Sequence, residues 1–202
     1  IIEADKKFII IGNMNAITYK EAFPLIKDNK MWLGYSIHSG DREFEVPNEY
    51  PLPAAGWRID ENGRKFIRVK GVRWFTNIDH GRRHQPLALM TMVDNLRFSK
   101  HKELKGKTAY DHYDNYDAIE VPFTDAIPSD YDGVMGVPIS FLDKYCPEQF
   151  EILGISLELG IKKPDNLPKE KQGGPAFYIK MGTDYNRMYC RLAIRRKLTI
   201  DN

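Results

Sequence analysis

Residues 7–21 read KFIIIGNMNAITYKE, and this stretch determines how the rest of the chain is interpreted. Residues 8–11 form an apolar run that is short for a helix and ends at Gly12. Such a run predicts a strand buried on both faces of a parallel sheet, although a buried helix segment has the same pattern. Asn13 and Asn15 follow the strand, where ligands bind in open α/β sheets. They are therefore candidates for the active-site side of the sheet, or alternatively turn and cap residues.

Composition indicates a globular protein with a real core. The 202 residues are 42% hydrophobic and 29% charged, which fits one large domain or a domain with an insertion. Two cysteines, Cys146 and Cys190, provide neither a disulfide framework nor a four-ligand zinc site. No apolar run approaches the roughly 20 residues of a membrane span, and the first residues lack the pattern of a signal peptide. We therefore expect a cytoplasmic protein with no membrane partner and no metal.

Charge is distributed in blocks, although the net charge is only +2. Residues 64–83 contain seven Lys or Arg against one Asp, and residues 97–107 contain five against one Glu. Residues 108–132 contain seven acids and no Lys or Arg. Blocks of one sign are typical of surfaces that bind polyanions, and they also occur on the solvated faces of ordinary proteins.

A β-hairpin is predicted around Asn62-Gly63, because this dipeptide favours a tight turn and residues 57–59 and 66–69 flank it with strand-like sequence. Basic side chains alternate with apolar ones here and on into residues 72–76. Such a ribbon could lie against DNA or could be a half-exposed sheet. The candidates for contacts to phosphates or bases are Arg58, Arg64, Arg68, Arg73, Arg82, Arg83, Lys100, Lys102, Lys105 and Lys107.

Aromatic side chains offer a second set of candidates. Tyr110, Tyr113 and Tyr116 recur every three residues, and Trp74 lies in a predicted strand. Each could stack on an extruded base or pack in the core. The aspartates between the tyrosines, at residues 111, 114 and 117, resemble a nuclease metal cluster, but acids in an aromatic loop are commonly turn formers.

Further elements are predicted on either side of these blocks. The capping-box spacing of Thr18 and Glu21 predicts a helix that ends near Asn29. Residues 36–52 are interpreted as a turn-rich loop, and a short helix is expected within residues 91–107. Residues 134–139 and 150–155 are predicted as strands in one sheet with residues 8–11, and residues 177–180 and 188–194 as a closing hairpin.

Several long strings resemble the EcoRI-type adenine-specific DNA methyltransferases. They are KFIIIGNMNAITYKE, WFTNI (residues 74–78), YDNYDAIEV (113–121) and DYDGVMGVPISFLDKYCPEQFEILG (130–154), in that order. The resemblance runs from about residue 7 to residue 197. It implies a seven-stranded Rossmann-like α/β fold that uses S-adenosylmethionine to methylate the exocyclic amine of a flipped adenine in double-stranded DNA, as part of restriction–modification.

The chain departs from the family at its chemical centre. The family's glycine-rich cofactor loop and Asn-Pro-Pro-aromatic tetrapeptide do not occur in these 202 residues. No catalytic residue is therefore assigned, and we expect these residues alone to be inactive and not to bind S-adenosylmethionine tightly.

The resemblance also suggests a division of the chain. Residues 1–35 and 131–202 would carry the later strands of the catalytic sheet, and residues 36–130 would form a β-rich insertion for target recognition. A sheet without its first half would expose an edge that could self-associate. The alternative function is a non-enzymatic DNA-binding module.

Overall fold

The computed structural model describes residues 2–35, 42–52, 56–165, 167–168 and 173–197. The strands within them are β1 (Ile9–Asn13), β2 (Trp32–Leu33), β3 (Arg42–Val46), β4 (Trp57–Ile59), β5 (Lys65–Val69), β6 (Val72–Thr76), β7 (Ile119–Glu120), β8 (Met135–Pro138), β9 (Phe150–Ile155), β10 (Tyr178–Met181), β11 (Asp184–Arg187) and β12 (Arg191–Arg196). The helices are α1 (Phe23–Lys27) and α2 (Met92–Phe98), and 3₁₀ turns span Met14–Thr18, Gly81–His84, Thr124–Ala126 and Ile139–Lys144.

The chain is a mixed α/β protein with several small sheets and few helices, divided into two compact units, Ile1–His80 and Gly81–Asn202. A single Rossmann-like sheet is not confirmed by the described residues, whose strands form four small sheets, and it stays a prediction. The functional division at residues 35/36 and 130/131 also stays a prediction. Among the described residues, no helix combines the length and the apolar character needed to cross a bilayer.

Strand β1 lies at the edge of a three-stranded antiparallel sheet with the order β1-β6-β2. Phe8 is buried, but Ile9, Ile10 and Ile11 are 61%, 43% and 42% exposed. The prediction that this run is buried on both faces is therefore wrong. So is its placement in one sheet with β8 and β9, which belong to a different sheet. An apolar run identifies a strand, but it does not identify the elements that cover it.

Helix α1 begins later than its capping-box spacing predicted. Thr18 instead ends the 3₁₀ turn that follows β1, with its hydroxyl donating to the carbonyl of Asn15 at 2.9 Å. Ala22 is the N-cap, which places Pro24 in the first helical turn. Proline is tolerated there because the first N–H groups of a helix have no intrahelical partner. The position of the proline therefore sets where the helix starts.

The predicted hairpin is confirmed. Strand β5 pairs antiparallel with β4, and the Asp60 side chain accepts hydrogen bonds from the backbone N–H groups of Asn62 and Arg64, both at 2.9 Å. Gly63 has φ = +77°, a conformation that favours glycine. The interpretation of residues 36–52 as a loop is wrong for β3, which adds to the other edge of β5 and completes the ribbon, with the order β3-β5-β4. Glu43 and Glu45 alternate with Phe44 and Val46, the pattern of a half-buried strand, but this strand is short and lies in a turn-rich sequence.

The second unit is organised around β12, which lies between β8 and β9 in a four-stranded sheet with the order β7-β8-β12-β9. Strands β8 and β9 are confirmed, and they share this sheet through β12. The predicted closing hairpin is wrong, because β10 pairs with β11 instead. Leu192, Ala193 and Ile194 are fully buried in β12. Burying a leucine or isoleucine side chain stabilises a fold by about 1.5–3 kcal/mol, so a central position for this segment is favoured.

Helix α2 confirms the short helix expected before the basic run. The Thr91 hydroxyl accepts a hydrogen bond from the backbone N–H of Asp94 at 3.1 Å, which is N-capping geometry. The helix ends at Phe98, so Lys100 and the lysines after it lie beyond it.

Candidate nucleic-acid interface

The ribbon of β3, β5 and β4 carries most of its charge on one face. Glu43 lies opposite Arg68, and Phe66 lies opposite both Glu45 and Arg58. The Arg58 Nε contacts both carboxylate oxygens of Glu43, at 3.1 and 2.9 Å, and its Cζ lies 4.2 Å from the centroid of the Phe66 ring. Hydrogen bonding from Arg58 holds the pKa of the Glu43 carboxyl below its usual value. The charge of this arginine is therefore already compensated.

Arg64 is also paired, whereas Arg68 makes no ion pair with a described residue. The Arg64 Nε lies 2.7 Å from Oδ2 of Asp60, and a second carboxylate, that of Glu45, lies 3.9 Å away. Arg68 is exposed on the central strand of the ribbon and makes no ion pair with any other residue of the described ranges. Of the three ribbon arginines predicted to contact DNA, Arg68 is thus the one without an ion pair to a described residue, although its charge acts on the Glu43 carboxylate opposite it.

The three remaining predicted arginines lie elsewhere. Arg73 belongs to β6, outside the ribbon, and is only 4% exposed. It therefore does not extend the basic face of the ribbon as its spacing in the sequence suggested. Arg82 and Arg83 are half-buried in the 3₁₀ turn Gly81–His84, at the start of the second unit.

The basic run after α2 is held at the surface by one apolar anchor. Leu104 is 2% exposed, and the backbone N–H groups of Leu104 and Lys105 both donate to the carbonyl of His101, at 3.1 and 3.0 Å. This turn directs the predicted lysines to solvent. All four are exposed: Lys100, Lys102, Lys105 and Lys107. Lys107 forms an ion pair with Asp111, in the i,i+4 spacing.

The predicted stacking residues are mainly interior in this structure. Tyr113 is 2% exposed, and its ring stacks on Phe177 with centroids 4.6 Å apart. Tyr110 is 7% exposed and donates to the carbonyl of Ala126 at 2.7 Å. Burial of its hydroxyl raises the pKa of Tyr110 to about 12. Tyr116 is half-buried, edge-on to Phe177 at 5.4 Å, and Trp74 is half-buried in β6.

Asn13 and Asn15 form the turn that follows β1. Oδ1 of Asn13 accepts a hydrogen bond from the backbone N–H of Asn15 at 2.8 Å, and both side chains are exposed. This contact agrees with the alternative interpretation of the two asparagines as turn and cap residues. A role at an active site stays a prediction.

A buried ion pair in the second unit was missed by the sequence reasoning. Arg191 donates through Nε and Nη2 to the carboxylate of Glu120, with distances of 2.8–3.1 Å, and the two side chains are 13% and 5% exposed. The Tyr113 hydroxyl donates to the same carboxylate. The available signal was an acid at the end of β7 and an arginine directly before the apolar run Leu192–Ile194 of β12, two charges of opposite sign beside apolar residues.

Glycine makes this cluster possible. Gly136 lies opposite both Glu120 and Ala193 in the sheet, so it faces the same side as the ion pair. A Cβ atom at Gly136 would lie 2.6 Å from a ring carbon of Tyr113. The missing side chain therefore provides the space in which the tyrosine reaches Glu120. Burial and the neighbouring carboxylate together raise the pKa of Tyr113 well above its usual value.

Gly133 and Gly136 do not fit a cofactor loop. Gly136 accommodates Tyr113, and a Cβ atom at Gly133 would lie 2.6 Å from Cζ of Tyr131. Both positions are therefore filled by side chains of the chain itself rather than open to a ligand. We derive no chemical step through S-adenosylmethionine from these residues.

Cys146, Glu148 and His84 form a linked set without the geometry of a nucleophile. The Cys146 thiol contacts Oε2 of Glu148 at 3.2 Å, and Nδ1 of His84 contacts Oε1 at 2.8 Å. Burial and this hydrogen bond raise the pKa of the thiol, which disfavours the reactive thiolate. Within the ranges that the structure describes, no group of three or more His, Cys, Asp or Glu could hold a metal ion.

Comparison with known proteins places these features in a family. The model of the family described as "Adenine-specific methyltransferase EcoRI" matches residues 1–197. The Type II methyltransferase M.EcoRI of Escherichia coli is 46% identical over 165 residues, which are 82% of this chain and 47% of that protein. M.MgeORF184P of Mycoplasma genitalium and M.MpnI of Mycoplasma pneumoniae, also named Type II methyltransferases, are 36% and 32% identical over 155 residues, 76% of this chain and 45% of each relative.

The chain therefore spans about half the length of the curated relatives that it matches. No solved structure gives a significant match. Because the family model covers nearly the whole chain, and a relative of 46% identity covers most of it, this protein belongs to the EcoRI family of adenine-specific methyltransferases.

Proposed function

We propose that the chain forms part of an S-adenosylmethionine-dependent DNA methyltransferase that methylates N6 of adenine in double-stranded DNA, within a restriction–modification system. The observation that carries this proposal is the family match over residues 1–197, together with the identity to M.EcoRI. The cofactor and the DNA substrate follow from the family and not from any bound group.

The 202 residues alone are proposed to be inactive. An exocyclic amine has its lone pair delocalised into the ring, and it becomes a better nucleophile when positioned acceptors take its hydrogens. The tetrapeptide that would supply these acceptors is absent from this sequence, and Gly133 and Gly136 make room for tyrosines. The contribution of these residues would then be DNA contact, through cations that the structure leaves at the surface, such as Arg68, Lys100 and Lys105.

The proposed domain roles follow from the same resemblance. Residues 36–130 would recognise the target, and residues 1–35 and 131–202 would support the catalytic sheet. The outer edge of β1, with three exposed isoleucines and no described strand beside it, is a surface that another strand could extend. Sedimentation of the chain over a range of concentrations tests self-association at this edge. A monomer at every concentration contradicts it.

Two assays test activity. Calorimetric titration with S-adenosylmethionine is expected to give no binding at micromolar levels, and labelled methyl groups are not expected to reach adenine in duplex DNA. Turnover by the purified chain would show that the catalytic residues lie within it. Duplex binding without turnover agrees with this proposal and also with a non-enzymatic DNA-binding module.

The coding sequence upstream of Ile1 distinguishes a methyltransferase from a non-enzymatic DNA-binding module. An open reading frame that encodes a glycine-rich loop and an Asn-Pro-Pro-aromatic tetrapeptide supports a methyltransferase. An in-frame stop codon directly upstream contradicts it and favours the binding module.

A further inference from the structure

A cleft of about 1030 Å³ opens in the second unit beside the Glu120–Arg191 pair. Segments of residues 102–123 form one side, and β10 and β11 with the residues after them form the other. We propose that this cleft binds a phosphodiester group of DNA. The choice of DNA as the source of the phosphate rests on the proposed function, whereas the site itself is argued from its charges and shape.

Positive charge exceeds negative charge around the cleft. Among the described residues, four cations line it, namely Lys102, Lys107, Lys180 and Arg191, together with the carboxylates of Glu103, Asp111 and Glu120. Two of the carboxylates are engaged, since Asp111 pairs with Lys107 and Glu120 pairs with Arg191. Lys102 and Lys180 are exposed, and neither makes an ion pair with any residue in the described part of the chain. These two lysines give the cleft its attraction for an anion.

Arg191 provides a fixed donor at the wall of the cleft. Its Nε and Nη2 are used by Glu120, and its side chain, 13% exposed, lines the cleft. Glu120 is itself held by the Tyr113 hydroxyl, so the guanidinium is anchored on one side. A planar guanidinium that is already oriented loses little conformational entropy when it binds a phosphate. Hydrogen bonds between ionised groups are also stronger than neutral ones.

The remaining wall suits the sugar and base that accompany a phosphodiester. Phe123 lines the cleft. Its ring stacks on the ring of His101, with centroids 3.6 Å apart. Met181 and Met188 also line the cleft, and Met181 is 63% exposed. Thioether and aromatic surfaces adapt to apolar faces without sequence preference. The cleft therefore fits backbone contact and not base readout.

Charge-neutral variants test the proposal in the full chain. Lys180→Gln and Lys102→Gln are compared with Lys162→Gln and Lys163→Gln, which remove exposed lysines of the same unit that do not line the cleft. Affinity for a short fluorescein-labelled duplex is measured by anisotropy against salt. We expect each cleft variant to reduce the salt slope by about one unit for cognate and random sequences alike, and each control to change it less.

A local probe makes the result independent of folding defects. Methyl groups of ¹³C-labelled methionine report on the cleft through Met181 and Met188, with buried Met135 as a control within the same unit. Addition of duplex is expected to shift the signals of Met181 and Met188 and to leave that of Met135 in place. Their assignment uses single Met→Leu variants.

Three outcomes would overturn the cleft proposal: parent-like binding by both cleft variants, a larger effect from the control lysines, or no duplex binding by the chain at low salt. None of them decides the proposed function, which the upstream coding sequence tests separately. Conversely, the upstream sequence could contradict the methyltransferase while the cleft variants still reduce the salt slope of duplex binding. The cleft would then be a phosphate site in a DNA-binding module.

Discussion

Two arginine–glutamate pairs with nearly the same geometry lie in very different surroundings. Arg58 and Glu43 meet on the exposed face of the ribbon, where their side chains are 50% and 35% exposed. Arg191 and Glu120 meet beside β8 at 13% and 5% exposure, and Tyr113 adds a third polar group. Water screens the Arg58–Glu43 pair. The Arg191–Glu120 pair is largely shielded from water, and its hydrogen bonds are made within the protein instead.

This difference determines what each pair can contribute. Exposed ion pairs add little to stability, because the attraction is weak in water and ordering two long side chains costs entropy. A buried pair is expensive to form and still more expensive to break, because removing one partner leaves an uncompensated charge. The ribbon pair therefore affects mainly the surface charge of the ribbon, and the buried pair affects mainly the integrity of the second unit.

The largest expected effect comes from breaking the buried pair. Arg191→Met should lower the free energy of unfolding by about 3–5 kcal/mol, because Glu120 would stay buried without its cation. Arg195→Met is the matched control on the same strand. Its partner is Glu151, and the two side chains are 48% and 50% exposed, so the loss should be less than about 1 kcal/mol. Urea denaturation followed by circular dichroism measures both values.

A double variant tests whether the unpaired charge of Glu120 causes this loss of stability. Adding Glu120→Gln to Arg191→Met removes the stranded charge, so part of the lost stability should return. Equal losses for Arg191→Met and Arg195→Met would contradict a distinction based on burial.

A smaller effect is expected from the third member of the buried cluster. Tyr113→Phe removes one hydrogen bond to a charged group but keeps the ring stack on Phe177, so it should cost roughly 1.5–3 kcal/mol. Tyr178→Phe is the control. Tyr178 is fully buried, and no residue in the described ranges hydrogen-bonds its hydroxyl, so this variant should be neutral or stabilising. If the two changes have the same effect in urea denaturation, the hydroxyl of Tyr113 adds nothing to the cluster.

Local signals in the sequence were sufficient for the ribbon turn and not for the sheets. Asn62-Gly63 carries its own turn chemistry, so the hairpin followed from a few neighbouring residues. The central place of β12 depends on strands about 40 to 60 residues earlier in the chain, and no local pattern encodes that pairing. The exposure of Ile9 shows the same limit, because composition identifies a strand without specifying its cover.

In the candidate site, too, some features could be predicted from the sequence and others could not. That the lysines from Lys100 to Lys107 lie at the surface could be predicted from their density in the sequence. Compensation of Arg58 by Glu43 could not, because the partner belongs to a strand that was interpreted as a loop. The burial of Arg73 was equally hidden, since its spacing continued the alternation of the ribbon while its pairing placed it in another sheet.

The smallest expected effect concerns the ribbon itself. Arg68→Gln should reduce the salt slope of duplex binding by about one unit if this arginine, which makes no ion pair with a described residue, contacts a phosphate. Arg58→Gln should reduce it less, because Glu43 already offsets that charge in the free protein. Glu43→Gln is the reciprocal variant, and it should raise affinity by releasing Arg58. None of the three should shift the urea midpoint, since both members of the pair are exposed to water. If Arg58→Gln weakens binding as much as Arg68→Gln, the Arg58–Glu43 ion pair must break when the protein binds DNA. A carboxylate partner in the free protein would then not predict which ribbon arginines bind.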